Sequence, residues 1–326
     1  DDGFIGPHID YTGRIDQSDC NGCSTSINDT HGDHVSGTIM GAGNLDPEYR
    51  GMAHGVDLKV YNSSDANFGL FPGLFDNEDV VITSKSYSNG CNAGYTNLPR
   101  LLDQQVHDRP QLMHVFSAGN SGGDNCGYGA GAGWGNITGG HKVGKNVIAV
   151  GNLTHTDNLS GSSSRGPAED GRIKPDICAV GSSVTSTGPE NIYFTISGTS
   201  MSCPGVSGTI AQLYEAYRDL NGGANPDAAL IKSTLLNTAE DLGNPGPDFR
   251  YGWGRINARQ AYEGISNNQY IQGTISQGGS NNHTISVPAG VSELRIMTYW
   301  TDFEGSTSAA LALVNDLNMV VTDPNS

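Results

Sequence analysis

The chain has 326 residues, 34 of them acidic and 17 basic, for a formal charge of -17 at pH 7. That balance argues against nucleic acid and anionic membrane surfaces as partners, both of which would repel it, and no stretch approaches the roughly 20 consecutive apolar residues that span a bilayer. The length allows one large core with residues left over for a second module, and the 46 glycines, about twice the average share of roughly 7%, point to many tight turns and close backbone approaches.

Asp1-Asp2-Gly3 opens the chain as an acidic turn. Cys20-Asn21-Gly22-Cys23 has the spacing of a redox or zinc pair, but no second Cys or His pair stands at metal-ligand spacing, so a short loop clasp is the expectation. In Asp29-Thr30-His31-Gly32-Asp33-His34-Val35-Ser36-Gly37, His31 opens a helix whose small residues allow close packing. An imidazole there is a candidate general base once a carboxylate orients the ring, and Asp1 can supply that carboxylate.

Strands are expected at Val56 to Tyr61, Val80 to Ser84, Leu112 to Ser117, Val147 to Val150 and Asp176 to Val180. Helices alternate with them: Leu98 to Asp108, with Pro99 in its first turn, and others starting near Pro226 and Asn257. This alternation implies a parallel sheet covered by helices on both faces, with functional groups at the carboxyl ends of the strands. The strand from Leu112 runs into Ser117-Ala118-Gly119-Asn120-Ser121-Gly122, where the Asn120 amide can donate to a developing oxyanion.

Ile192-Tyr193-Phe194-Thr195-Ile196 reads as a buried strand, and Val206 to Leu220 carries helix-spaced apolar residues. Between them, Gly198-Thr199-Ser200-Met201-Ser202-Cys203-Pro204-Gly205 puts Ser200 at a helix N-terminus. Unbonded N–H groups and the helix dipole there favour an oxyanion beside an attacking oxygen. A lone serine in that position is ordinarily a cap; it is the company of Asp1, His31 and Asn120 that makes Ser200 a candidate nucleophile. Met201 beside it would meet oxidants entering a cleft unless its side chain is shielded.

Carboxylate, histidine, amide and serine in that chain order resemble the subtilisin-like serine peptidases. Ser163-Ser164-Arg165-Gly166-Pro167 and Gly171-Arg172-Ile173-Lys174-Pro175-Asp176 resemble the segment before the last core strand in many secreted bacterial members, and Tyr251-Gly252-Trp253-Gly254-Arg255-Ile256-Asn257 resembles their closing helix signature. The resemblance implies a secreted endopeptidase acting on protein or peptide substrates through an acyl-enzyme, with Asp1, His31 and Ser200 as the triad and Asn120 as oxyanion donor. It implies a propeptide in a longer precursor and no cofactor for the chemistry. Family members often carry structural calcium; Asp16, Asp19 and Asn21, and again Asp219 and Asn221, alternate oxygen ligands, but neither run has the full set of a calcium loop and no metal ligand is assigned.

The same resemblance lays an extended substrate beside Ser84-Lys85-Ser86-Tyr87-Ser88-Asn89-Gly90, which makes Ser86, Tyr87 and Ser88 substrate-binding, with Ser88 where the family has Gly. Ser117, Ala118 and Gly119 would form one wall of the P1 pocket and Gly139-Gly140 the opposite rim, leaving no charged floor and room for a large apolar or aromatic P1 side chain. The six cysteines permit fifteen full pairings. Cys91 and Cys126 follow strands that flank the cleft, where a bridge would brace it; Cys178 and Cys203 fall in core segments, as a pair or as thiols.

Asp2 and Asp33 stand where the family has Thr, and extra carboxylates beside the imidazole would favour its charged form and shift activity toward alkaline pH. The family aspartate ends a buried strand, so that strand is expected to lie outside this chain and Asp1 to be the least anchored member of the site. The alternative is a non-catalytic homologue that binds peptide along the same edge as an adhesion or scaffold module; four intact motifs speak against it.

From about Asn267 the pattern changes. Tyr270 to Ile275, Thr284 to Val287 and Glu293 to Trp300 alternate like exposed strands, and Ala312 to Val321 resembles part of the β-sandwich that follows many subtilase domains. The expected architecture is α/β, a three-layer parallel sheet flanked by helices over residues 1–266, followed over 267–326 by the truncated start of an all-β sandwich.

Overall fold

The computed structural model describes residues 1, 5–20, 30–88, 90, 91, 94–127, 129–137 and 139–323. Asp2, Gly3, Asn21, Gly22, Cys23, Asp29 and Asn89, named above, lie outside the described residues. Near the start, β1 (Ile15–Asp16) and β2 (Leu58–Lys59) pair in parallel; the run expected from Val56 to Tyr61 forms a ladder only over these two residues.

The central sheet has four parallel strands in the order β3 (Ile82–Lys85), β4 (Met113–Ser117), β5 (Ile148–Leu153) and β6 (Ile177–Val180). Every β4 and β5 residue is buried, as parallel strands covered on both faces must be. Alternate side chains divide between two cores. Met113 and Val115 join Cys203, Val206, Ile210, Leu213, Ile231, Leu235 and Ile265, whereas Leu112 and Phe116 join Phe68, Phe71, Leu74 and Leu102.

Those partners identify the covering layers. On one face lie α4 (Thr199–Leu220), α5 (Ala228–Asn237) and α6 (Ala258–Ser266); on the other lie α2 (Phe71–Glu78) and α3 (Asn97–Asp108). Helix α1 (His31–Met40) packs against α4 and against β7 (Val184–Gly188). The close approach to β7 depends on Gly37, where an added Cβ would run into Thr187 Oγ1 and come within 2.6 Å of Ser186 Oγ.

The structure corrects the sequence reading in two places. Ile192–Ile196 (β8) is not a buried core strand: it forms an antiparallel hairpin with β7 and is partly exposed along its length. Among the described residues after α6 there is no helix and no strand, so the sandwich strands expected at Tyr270 to Ile275, Thr284 to Val287 and Glu293 to Trp300 are not formed. Alternation fixes which face a side chain takes, but a strand also needs a hydrogen-bonded neighbour; in the first two runs the apolar members stand in solvent, Ile271 at 58% and Ile285 at 48% exposure, whereas Met297 in the third packs against the core.

Part of this segment nonetheless completes the body of the protein. Asp302 is 2% exposed and accepts from Val314 N, Asn315 N and Asn315 Nδ2 at 2.9 to 3.0 Å. It lies 3.4 Å from Lys145 Nζ, which also donates to the Phe303 and Ala312 carbonyls at 2.7 Å. Asn146 Nδ2 and Tyr299 OH add bonds to the Asp302 and Lys145 carbonyls. Among the described residues no helix is long and apolar enough to cross a membrane.

Candidate active site

Two helix N-termini carry the polar residues singled out by the sequence. His31 is the first residue of α1, and its Nδ1 lies 2.6 Å from Asp1 Oδ1, with side chains 30% and 11% exposed. Asp1 is also held through its nitrogen, which donates to the Tyr61 carbonyl at 3.2 Å, just beyond β2. With Nδ1 committed to the carboxylate, Nε2 is the nitrogen that can exchange a proton with a hydroxyl.

Asp33, expected to act on the imidazole, is buried and turned toward the N-terminal segment. Its Oδ1 accepts from Gly6 N at 2.9 Å and from Tyr11 OH at 2.8 Å. His34 on the next helical position is also buried, with its pKa lowered to about 4 by desolvation, and Nε2 lies 3.0 Å from the Val184 carbonyl. It is part of the packing of α1 on β7.

Ser200 is the second residue of α4, 8% exposed. Pro204, four residues on, has no N–H to give the Ser200 carbonyl its helical bond. Ser86 supplies the substitute: its Oγ donates to Ser200 O at 3.0 Å, while Ser200 Oγ donates to Ser86 O at 2.9 Å. The reciprocal pair fixes the end of β3 to the first turn of α4, and Pro204 was the signal in the sequence that such a partner was needed.

Asn120 comes from the loop after β4 and is oriented by Thr199, a residue that nothing in the local pattern singles out. Its Oδ1 accepts from Thr199 N at 3.0 Å and Thr199 Oγ1 at 3.1 Å, and the same hydroxyl accepts from Gly119 N at 3.2 Å. Tying down the acceptor leaves the Nδ2 donor as the presented end of the amide. Gly198 permits the approach, since a Cβ there would stand 3.3 Å from Asn120 Nδ2. The amide donor and the N-terminal backbone N–H groups of α4 thus flank the serine, an arrangement able to hold negative charge on a reacting oxygen.

The remaining expected residues lie after β3 and at the end of β4. Ser86 is buried, Tyr87 partly buried and Ser88 exposed along the segment after β3, and Ser117, Ala118 and Gly119 are buried at the end of β4. Gly139 N donates to Gly90 O at 2.8 Å, which places the Gly139-Gly140 segment against the same edge. Behind it, where no charge was expected, Lys85, His141 and Lys142 are buried. Burial lowers Lys142 to about 7 and holds Lys85 well below the usual lysine range; Lys85 Nζ sits 3.7 Å from the Phe71 ring centroid. Met201 is shielded at 2% exposure.

Cys91 and Cys126 form a disulfide, whereas Cys178 and Cys203 are buried thiols. The Cys20-to-Cys23 clasp involves a residue outside the described set. Asp16 Oδ1 accepts from Ser18 N and Oγ, and its other oxygen lies 3.4 Å from Lys59 Nζ, while Asn221 Nδ2 is spent on the Tyr217 carbonyl. Among the described residues no three acidic, histidine or cysteine side chains gather as a metal site.

The sequence model of the subtilase family of peptidases matches residues 1–254. Subtilisin DY of Bacillus licheniformis is 31% identical over 240 residues, covering 71% of this chain and 77% of that protein. Serine protease AprX of Bacillus subtilis is 29% identical over 303 residues, 80% of this chain and 64% of that one. Coverage of alkaline serine exoprotease A of Vibrio alginolyticus is lower still, 37% of its length at 31% identity over 66% of this chain. The fold is shared with the prenylagaramide maturation protease PagA, at a TM-score of 0.64, 21% identity, 81% coverage of this chain and 90% of that one. A point mutant of the protease domain of PatA gives a TM-score of 0.61 at 19% identity, with 81% and 94% covered. The chain belongs to the subtilase family of serine peptidases.

Proposed function

We propose that the protein is a secreted serine endopeptidase that cleaves peptide bonds through an acyl-enzyme on Ser200. The observation that carries this reading is the 2.6 Å contact between Asp1 and His31, on a fold that also sets Ser200 and a Thr199-anchored Asn120 at the start of α4. In the reaction Ser200 Oγ leaves the Ser86 carbonyl, gives its proton to His31 Nε2 and attacks the scissile carbonyl. Asp1 stabilises the imidazolium, Asn120 Nδ2 and the Ser200 N–H receive the oxyanion, and His31 returns the proton to the leaving amine. Water then hydrolyses the ester by the same proton path.

Substrate would lie as an added strand along Ser86, Tyr87 and Ser88, bonded through the backbone. With the Lys142 amine largely neutral above pH 7, the wall suits a large apolar or aromatic P1 side chain. Secretion accords with the Cys91–Cys126 disulfide, which persists in oxidising surroundings; a propeptide in the precursor belongs to the same reading.

A fluorophosphonate probe tests it. The expected result is one covalent adduct on Ser200, lost in Ser200→Ala, together with internal cleavage of a denatured protein. A folded chain that binds peptide but takes up no probe would instead be a non-catalytic binding module.

A further inference from the structure

The wall between the peptide edge and the oxyanion loop is assembled from three chain segments fastened at a few points. Cys91, the residue after Gly90, is bonded to Cys126, 35 residues away in sequence, with Cα atoms 5.3 Å apart. The Gly90 carbonyl accepts from Gly139 N at 2.8 Å, and Asn136 Nδ2 donates to Asp124 O at 3.1 Å. The connecting stretch is bonded at its far end, where Gly133 N donates to Asp124 O, Gly135 N to Gly166 O and Asn136 N to Arg165 O, and is rich in glycine before it. Gly127, Gly129, Gly131, Gly133 and Gly135 all have positive φ, 60° to 90°, a region that glycine enters without steric cost but from which it readily departs. Among the described residues, a Cβ at Gly127, Gly129 or Gly131 would meet nothing within 4 Å, so no side-chain packing is seen at these positions.

The chemical groups are fastened elsewhere. Asn120 is held by Thr199, Ser121 N donates to Ser164 Oγ at 3.0 Å, and Gly122 N donates to Ser162 O at 2.9 Å. His31 is held by Asp1. None of these bonds runs through the disulfide.

We infer that the Cys91–Cys126 disulfide is a positioning element for substrate binding, so that its reduction weakens peptide binding while leaving the chemical step intact. The inference rests on the peptidase reading above. The reductant is a dithiol: two electrons and two protons convert the bridge to two thiols, and the dithiol becomes a cyclic disulfide. The bridge closes residues 91–126 and also ties the start of the glycine stretch to the Gly90 side of the wall; opening it leaves the Gly139-to-Gly90 bond to hold those two segments together, and the freedom so released must be lost again each time a peptide binds.

The test compares the wild type with Cys91→Ser/Cys126→Ser on a peptide anilide with a large apolar P1 residue, alongside the rate at which a small alkyl fluorophosphonate labels Ser200. The double variant is needed because Cys20 is also disulfide-bonded and a reductant alone opens more than one bridge. The expected result is a KM raised about five-fold with kcat and the labelling rate within about two-fold of wild type. Wild type treated with dithiothreitol should match the variant and recover on reoxidation. An unchanged KM overturns the inference, as does a fall in kcat and labelling as large as the fall in kcat/KM, which a merely structural loss would cause. If the variant does not fold, the same kinetics and labelling on Cys20→Ser, in which the Cys20 bridge is already absent, compared before and after reduction, decide between these outcomes. If oxidised wild type takes up no fluorophosphonate, the peptidase reading itself fails and this inference falls with it.

Discussion

Asn120 shows how much a side chain's function depends on atoms that do no chemistry. An amide can present either its oxygen or its nitrogen, and two bonds from Thr199 to Oδ1 decide for the nitrogen. Asn120→Ala should therefore lower kcat about 10²- to 10³-fold with KM little changed, the size established in subtilisin for the loss of this donor; steady-state kinetics on a peptide anilide measure both. Asp33 carries the opposite lesson. As a residue type beside a histidine it suggested a raised imidazole pKa, but its bonds to Gly6 and Tyr11 make it a brace for the N-terminal segment. Asp33→Asn is expected to leave the pH-rate profile in place and to lower the melting temperature, because the neutral amide accepts those bonds more weakly, a loss of about 1 kcal/mol. An acidic limb displaced by the substitution would restore the electrostatic role.

Elements were legible where one signal sufficed. The start of α1 at His31, Pro99 in the first turn of α3 and the buried runs of β4 to β6 follow from local pattern, and the polar residues at their ends were legible by type. What could not be read were the pairings: Ser86 with Ser200, Thr199 with Asn120, and β8 with β7, each set by chain separated in sequence. Ile192 to Ile196 looked buried because apolar residues dominate it, yet half of a hairpin can face solvent. The small residues of α1 were read as allowing close packing, and Gly37 shows at which contact. Gly37→Ala would drive a methyl group into Thr187 and Ser186 of β7, and overpacking of this kind costs about 1 to 3 kcal/mol. Chemical denaturation of the inactive Ser200→Ala background, which removes autolysis, should report that loss.

At the level of the whole molecule the buried bases set the response to pH. Burial lowers His34 to about 4 from 6.5 and holds His114 and His141 well below the usual histidine range. Only the unfolded chain then binds these protons as the pH falls below about 6.5, so stability is full above that value and is lost progressively toward pH 4. Lys142 and Lys174 are lowered by burial to about 7 and about 8 from 10.5. Between those values and 10.5 the unfolded chain again holds more protons, so stability from these groups rises with pH. The melting temperature of Ser200→Ala is accordingly expected to fall on acidification from pH 6.5 and to rise from pH 7 toward pH 9.5; a maximum at pH 5 to 6 would contradict both. The acidic composition and net charge of -17 held no hint of this, because the decisive groups are few, basic and inside.

The buried bonds of Asp302 also have a consequence for synthesis. Asn146 and Asp302 are 156 residues apart in the chain yet share a buried hydrogen bond, and Lys145 beside it takes its carbonyl partners from Phe303 and Ala312. At 5 to 20 residues per second a ribosome makes the second half of this contact about 8 to 30 seconds after the first. Throughout that interval a lysine and an asparagine destined for the interior have only part of their partners, and the nascent enzyme must keep that site wet. Completion of this buried site is thus timed from its C-terminal side, because Lys145 and Asn146 wait for Asp302, Phe303 and Ala312 to leave the ribosome.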